Sequence, residues 1–271
     1  MKKNFVLLLL SLISVYATSQ PAQWHPWKGK RVAYFGDSIT DPNVTTGPNN
    51  NHYWSYLQQW LGITPLVYGV NGRQWNDIPR QADQLTQDHN QNFDAILIFI
   101  GTNDYNHGLP LGEWYKETKE QVYAATGEPQ KLQTRMMRTP ALDGNTLRGR
   151  INIALSKIRL SFPDKQVVIL TPIHRGYASF GPNNVQPSET YQNKSGLFLS
   201  DYIDAIKEVS DVWAVPVIDI STLSGLLPQY PEFSVYFKNK DTDRLHPNEL
   251  GHRKIAQALL CGLQSIPCGD F

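Results

Sequence analysis

The chain has 271 residues, 41% of them apolar and 18% charged, a length that suits one α/β domain or two small ones and a composition able to bury a full core. Its formal net charge is +1, and −1 once the first twenty residues, which hold Lys2 and Lys3 and no acid, are set aside. Near neutrality removes any electrostatic reason to expect nucleic acid or an anionic membrane as the partner.

Met1-Lys2-Lys3 is a short basic start, and an apolar run of roughly ten residues follows over 5–15, the length of a signal-peptide core and too short for a membrane span. Ala17-Thr18-Ser19 sets small residues where a signal peptidase cuts. Residues 1–19 are therefore expected to be a signal peptide. The mature chain then begins near Gln20, exported to a periplasmic or extracellular compartment. No cysteine follows the apolar run, so a stable membrane anchor is not expected.

Strand-like apolar runs then alternate with helical stripes. Residues 31–35 read as a first strand, ended by Gly36. Tyr53, Trp54, Leu57, Trp60 and Leu61 share one helical face, with Gly62 as the stop. Residues 66–70 read as a second strand, and Asp77 as the cap of a helix carrying Ile78, Ala82 and Leu85. Residues 95–100 are the clearest strand, a continuous apolar run stopped by Gly101. Leu147, Ile151, Ala154, Leu155 and Ile158 form the next helical stripe, followed by strand-like residues 166–170. Leu199, Ile203, Ile206 and Val209 form another, before a fifth strand over 216–220, and Ile255, Ala258 and Leu259 mark a last helix.

Continuous apolar runs indicate strands buried on both faces, as in parallel sheets. The alternation predicts one α/β domain over 20–271, a three-layer α/β/α sandwich with a five-stranded, mainly parallel sheet and right-handed crossovers. Two segments break the rhythm: an insertion at about 105–145, and residues 221–241, rich in Pro, Tyr and Phe. Connections this long are usually functional covers or disordered. Cys261 and Cys268, with Gly262 and Pro267 between them favouring a turn, are expected to close a small disulfide loop after export; two free thiols are the alternative. Neither has zinc-motif spacing.

Four loop motifs carry the chemistry, each where a predicted strand ends or the last helix begins, the place where open α/β sheets bind ligands. Gly36-Asp37-Ser38-Ile39-Thr40 is a tight turn able to lift the Ser38 hydroxyl to the sheet edge; read alone it is equally ordinary turn chemistry. Val70-Asn71-Gly72 lets backbone approach a substrate and aim an N–H at it, or is a plain turn. Gly101-Thr102-Asn103-Asp104 offers the Asn103 amide as a donor to an oxyanion, or a capped turn. In Asp243-Arg244-Leu245-His246-Pro247-Asn248, His246 can accept a serine proton and Asp243, three residues earlier, can orient the ring.

Together, and in this order, these motifs resemble the SGNH/GDSL hydrolase family over about 30–260. The resemblance implies a flavodoxin-like fold, Ser38 as nucleophile, His246 as general base and Asp243 as the third triad member. It further implies an oxyanion hole built from the Ser38 N–H, the Gly72 N–H and the Asn103 side chain. Arg244-Leu245 departs from the small-then-aliphatic pair common in the family, which leaves Arg244 as a substrate contact or a surface charge. The insertion is no core element of the family.

The implied chemistry is ester hydrolysis through an acyl-enzyme, with no metal and no organic cofactor required. Trp75, Tyr105, His107 and Arg175 are candidate substrate contacts, because aromatic faces beside polar groups suit a sugar ring. A small-molecule or carbohydrate ester is the expected partner, with acetyl the favoured acyl group. Lipase or lysophospholipase action, acyl transfer with the same triad, and non-catalytic carbohydrate binding are the alternatives.

Overall fold

The computed structural model describes residues 24–127 and 129–269; the expected export segment lies outside the described residues. In chain order, β1 (Arg31–Gly36) leads through α1 (Tyr53–Leu61) to β2 (Thr64–Val67), then α2 (Ile78–His89), β3 (Ala95–Phe99) and the short α3 (Thr102–Asn106). A hairpin of β4 (Tyr115–Ala124) and β5 (Lys131–Pro140) follows, then α4 (Leu147–Ser161), β6 (Gln166–Leu170) and the two-residue strands β7 (Ala178–Ser179) and β8 (Val185–Gln186). Next come α5 (Leu199–Lys207), α6 (Val209–Trp213), β9 (Val217–Ile218) and α7 (Ile220–Leu223), and finally β10 (Phe237–Asn239), β11 (Asp243–Pro247) and α8 (Glu249–Gly262).

The central sheet has five strands in the order β2-β1-β3-β6-β9, every neighbour parallel. Numbered within the sheet alone this is 2-1-3-4-5, the flavodoxin-like winding. Side chains alternate across it as strand geometry requires. Ala33, Phe35, Ile96, Ile98, Val167 and Ile169 enter one core cluster with α2, α4 and α5. Val32, Tyr34, Leu97, Phe99, Val168 and Leu170 enter a second with α1 and α8. Two apolar clusters on opposite faces of one sheet make the three-layer sandwich. Among the described residues no helix is long and apolar enough to cross a membrane.

Several local expectations need correction. The second strand begins two residues earlier than expected and stops at Val67, with Pro65 inside it; an edge strand tolerates proline because one side of its backbone is unpaired. Asp77 is helical (φ −89°, ψ −16°) and its side chain caps nothing. The carboxylate instead takes Arg80 in two 2.8 Å bonds and the Gln81 amide at 3.0 Å. Cys261 and Cys268 are free. Helix α8 runs on past Cys261, which faces solvent, while Cys268 packs against the cluster of Trp27 and Leu263; burial pushes its thiol pKa up to about 12. The insertion is neither a cover nor shapeless: it is the β4–β5 hairpin, exposed along nearly all of both strands.

A second, antiparallel sheet in the order β10-β11-β7-β8 lies outside the alternation. It positions the C-terminal motif. The end of β1 is fixed differently, by Gln81 on α2. The buried Gln81 side chain accepts from Gly36 N and donates to Gly36 O, both at 2.9 Å. Replacing Gln81 with Ala leaves the buried Gly36 N–H without its acceptor, an expected loss of about 1–3 kcal/mol. Urea unfolding should show a lower midpoint with an unchanged slope; an unchanged midpoint would count against this clamp.

Candidate active site

Gly36 has no room for a side chain: a Cβ there would lie 2.6 Å from Phe99 O and collide with Thr40 Oγ1. The chain therefore leaves β1 in a tight turn, with Thr40 N and Asp41 N donating to Asp37 O at 3.0 and 2.9 Å. Ile39 N donates to Asp37 Oδ1 at 3.1 Å. Ser38 rides this turn at the carboxyl end of the sheet, and its side chain lines a cavity of about 570 Å³.

His246 reaches the same cavity from β11. Asn248, two residues on, caps α8 by accepting from Leu250 N and Gly251 N. Its amide nitrogen donates to Val235 O and Phe237 O, so the end of β11 is pinned on two sides. His246 Nε2 lies 3.0 Å from Ser38 Oγ. Its Nδ1 lies 3.0 Å from Asp243 Oδ2 and 3.2 Å from Oδ1. Asp243 Oδ1 also accepts from His246 N and Leu245 N. Burial pushes the Asp243 carboxyl up, but the His246 ring and these two N–H groups outweigh it and hold the group below the usual carboxylate range. It stays ionised beside the imidazole, which fixes which ring nitrogen carries the proton.

Gly72 and Asn103 line the same cavity. Gly72 sits at φ +77°, which a side chain would strain. Asp41, a residue sequence reasoning passed over, holds that loop by accepting from Asn71 N at 2.8 Å. Among the described residues, neither Ser38 N nor Gly72 N has a protein acceptor. Asn103 Nδ2 donates to Arg73 O at 3.0 Å and makes only a long 3.5 Å contact with Asp37 Oδ2.

Of the four expected substrate contacts, His107 alone lines the cavity, anchored by Nδ1 to Asn103 O at 2.8 Å. The other three are corrected by burial. Trp75 is wholly inside the core, its backbone N–H on the Asp104 carboxylate. Tyr105 is buried, its hydroxyl donating to Tyr191 O at 2.7 Å and its ring edge-on to Tyr202. Arg175 is fully buried and braces the site from behind, donating to Thr102 O at 3.2 Å and to Gln186 Oε1 at 2.8 Å, over the Tyr105 ring. Burial lowers its pKa to about 10 against the pull of Tyr105, Glu189 and Asp37. Arg244 is not in the cavity wall: it donates to Lys240 O and Pro228 O.

The wall that sequence reasoning missed comes from the loop after β7. Phe180, Asn183, Asn184 and Gln186 line the cavity, with Asn71, Asn106 and Leu245 completing it. The Phe180 ring centroid lies 5.4 Å from that of His246. The available signal was Gly181-Pro182-Asn183-Asn184, a run of turn-forming residues. Among the described residues, no three His, Cys, Asp or Glu side chains converge as metal ligands.

Two buried carboxylates underlie the turn. Burial raises Asp104 from its ordinary 3.8 to about 7, against Trp75 N–H and Arg150. Burial also raises Asp37 to about 7; Ile39 N–H opposes this and the Asp104 charge adds to it. A carboxyl raised on folding contributes stability that is full below its unfolded pKa and is lost as pH climbs through the folded one. Between about pH 4 and pH 8, wild type should therefore lose stability relative to Asp104→Asn as pH rises, by up to about 1.4 kcal/mol per pH unit. Urea unfolding of both proteins across that window measures it; a constant difference would contradict the raised Asp104.

No curated protein sequence matches the chain. Among solved structures, a Lactobacillus plantarum protein is 25% identical at a TM-score of 0.66, covering 88% of this chain and 98% of its own. A possible lipase from Chitinophaga pinensis is 22% identical at a TM-score of 0.61, covering 86% and 96%. The acetylxylan esterase Axe2 from Geobacillus stearothermophilus is 18% identical at 0.51, covering 89% and 96%. At these identities the likenesses speak to the fold. The GDSL-like lipase/acylhydrolase family matches residues 34–254, a stretch that takes in all four loop motifs. The chain thus belongs to the SGNH/GDSL hydrolases and is a hydrolase acting on ester bonds.

Proposed function

We propose that the protein is an exported serine esterase that removes small acyl groups, acetyl foremost, from carbohydrate. The observation that carries the serine mechanism is the continuous hydrogen-bonded line Ser38 Oγ, His246 Nε2, His246 Nδ1, Asp243, with links of 3.0 Å. His246 takes the Ser38 proton as Oγ bonds to the ester carbon, and the carbonyl π electrons move to its oxygen. That oxyanion is held by Ser38 N–H, Gly72 N–H and the Asn103 amide, whose second N–H makes only the long contact to Asp37. Collapse expels the alcohol with the His246 proton. Water, activated by the same imidazole, then releases the acid and restores Ser38.

The substrate reading rests on the wall. Asn71, Asn106, His107, Asn183, Asn184 and Gln186 present amide and imidazole groups, with Phe180 as the aromatic face beside them. Such a surface pairs with hydroxyl-rich rings and has little to offer a long acyl chain. The acetylxylan esterase among the structural neighbours is consistent with this. Export rests on the basic and apolar residues at the start of the chain.

Ser38→Ala should lower ester hydrolysis by roughly four to six orders of magnitude without altering the fold. Asn103→Ala should cost about 10²–10³ in kcat with little change in KM. Turnover that survives the first change would refute the serine mechanism. On a panel of acetylated oligosaccharides and p-nitrophenyl esters of increasing acyl length, activity should fall as the acyl chain grows. A preference for long chains would overturn the carbohydrate reading in favour of a lipase, and product analysis with an acceptor alcohol present separates hydrolysis from acyl transfer.

A further inference from the structure

The β4–β5 hairpin contributes no residue to the lining of the cavity around Ser38. Among the described residues its strands pair only with each other. Lys116 through Tyr123 are all exposed, and among the described residues their backbone bonds no element but β5. Ten residues of strand extend about 30 Å. A lone hairpin with both faces in water is marginal, and an open edge of this length is a template for another strand.

The outer edge of β4 is patterned for a particular partner. Residues 116–120 read Lys-Glu-Thr-Lys-Glu. The geometry points to a two-fold dimer in which β4 pairs antiparallel with β4 of a second copy of this chain, Thr118 lying on the axis. In that register Lys116 faces Glu120 of the partner subunit and Glu117 faces Lys119 of the partner subunit. The symmetry repeats both contacts, so every charge on the strand meets its opposite. Two hairpins become one four-stranded sheet, and the two unpaired inner edges disappear.

The other pairings are worse matched. The outer edge of β5 carries Lys131, Arg135 and Arg138 with no acid, and ends at Pro140; two such edges repel. Docking β4 on the partner's β5 in the hairpin's own register would set Lys116 opposite a threonine and Lys119 opposite a methionine, leaving both lysines unmatched. That contact is also head-to-tail and propagates without closing, whereas the β4–β4 pair closes on itself. The dimer does not depend on the esterase reading.

Sedimentation velocity on the full chain over a range of concentrations tests it, and should show reversible formation of a species of twice the monomer mass. Lys116→Glu with Lys119→Glu makes the edge wholly acidic while leaving Glu117–Arg138, the hairpin's own ion pair at 2.8 Å, in place. Self-association should weaken by at least about tenfold. Glu117→Lys with Glu120→Lys makes the edge wholly basic, with the same result. An equimolar mixture of the two variants should restore the doubled mass, which misfolded hairpins would not do. A wild type that stays monomeric at its solubility limit would overturn the proposal. So would an acidic-edge variant that dimerises as well as wild type, or a mass that grows past the dimer with concentration.

Discussion

A 3.0 Å hydrogen bond joins Ser38 Oγ to His246 Nε2 across 208 residues of chain. One such bond contributes about 1 kcal/mol to stability, far too little to gather two distant segments. The meeting is instead imposed by what stands behind each residue. On the Ser38 side stand the parallel sheet, the glycine turn at Gly36 and the Gln81 clamp. On the His246 side stand the small antiparallel sheet and the Asn248 cap of α8. The core spends its stability on holding these two ends, and the bond reports that they arrived.

Carboxylates around the site fall into two kinds, separated by the donors that reach them. Asp243 has the His246 ring and two backbone N–H groups, and they hold it ionised despite burial. Asp37 and Asp104 are buried more deeply with fewer donors, and their pKa values rise to about 7. Charged groups inside a protein persist only when paired. Arg150 meets Asp104 at 3.1 Å, while Arg175 ties the α3 segment that bears Asn103 to the cavity wall at Gln186. Arg175 and Tyr105 thus serve the site from beneath its surface, supporting residues that face the cavity.

The central strands were legible because burial on both faces makes an unbroken apolar run: residues 95–99 and 166–170 announce themselves. The loop motifs were legible because each is tied to a strand end or a helix start, so their order along the chain implies their meeting in space. The antiparallel sheet was not legible. Strands of two to five residues such as β7 and β11 are too short to show a period. The hairpin escaped notice because residues 116–121 of β4 are polar on both faces, leaving no alternation to read. The misplaced contacts share one cause. The identities of Trp75, Tyr105 and Arg175 say that a side chain is large and able to bind, and nothing about which way it points. The Phe180–Gln186 wall, formed by the turn from β7 into the two-residue β8, had only its turn residues to mark it.

In the proposed mechanism Ser38 is an activated nucleophile, made so by His246 and Asp243. Its most direct test is active-site labelling with an organofluorophosphonate, which phosphonylates a serine hydroxyl only where a base removes its proton. Intact mass and peptide mapping should then find one adduct per chain, on Ser38, with ester hydrolysis lost in step with labelling and neither event in a His246→Ala variant. Full inactivation with the adduct on another residue, or a fully active protein that takes no label, would contradict it.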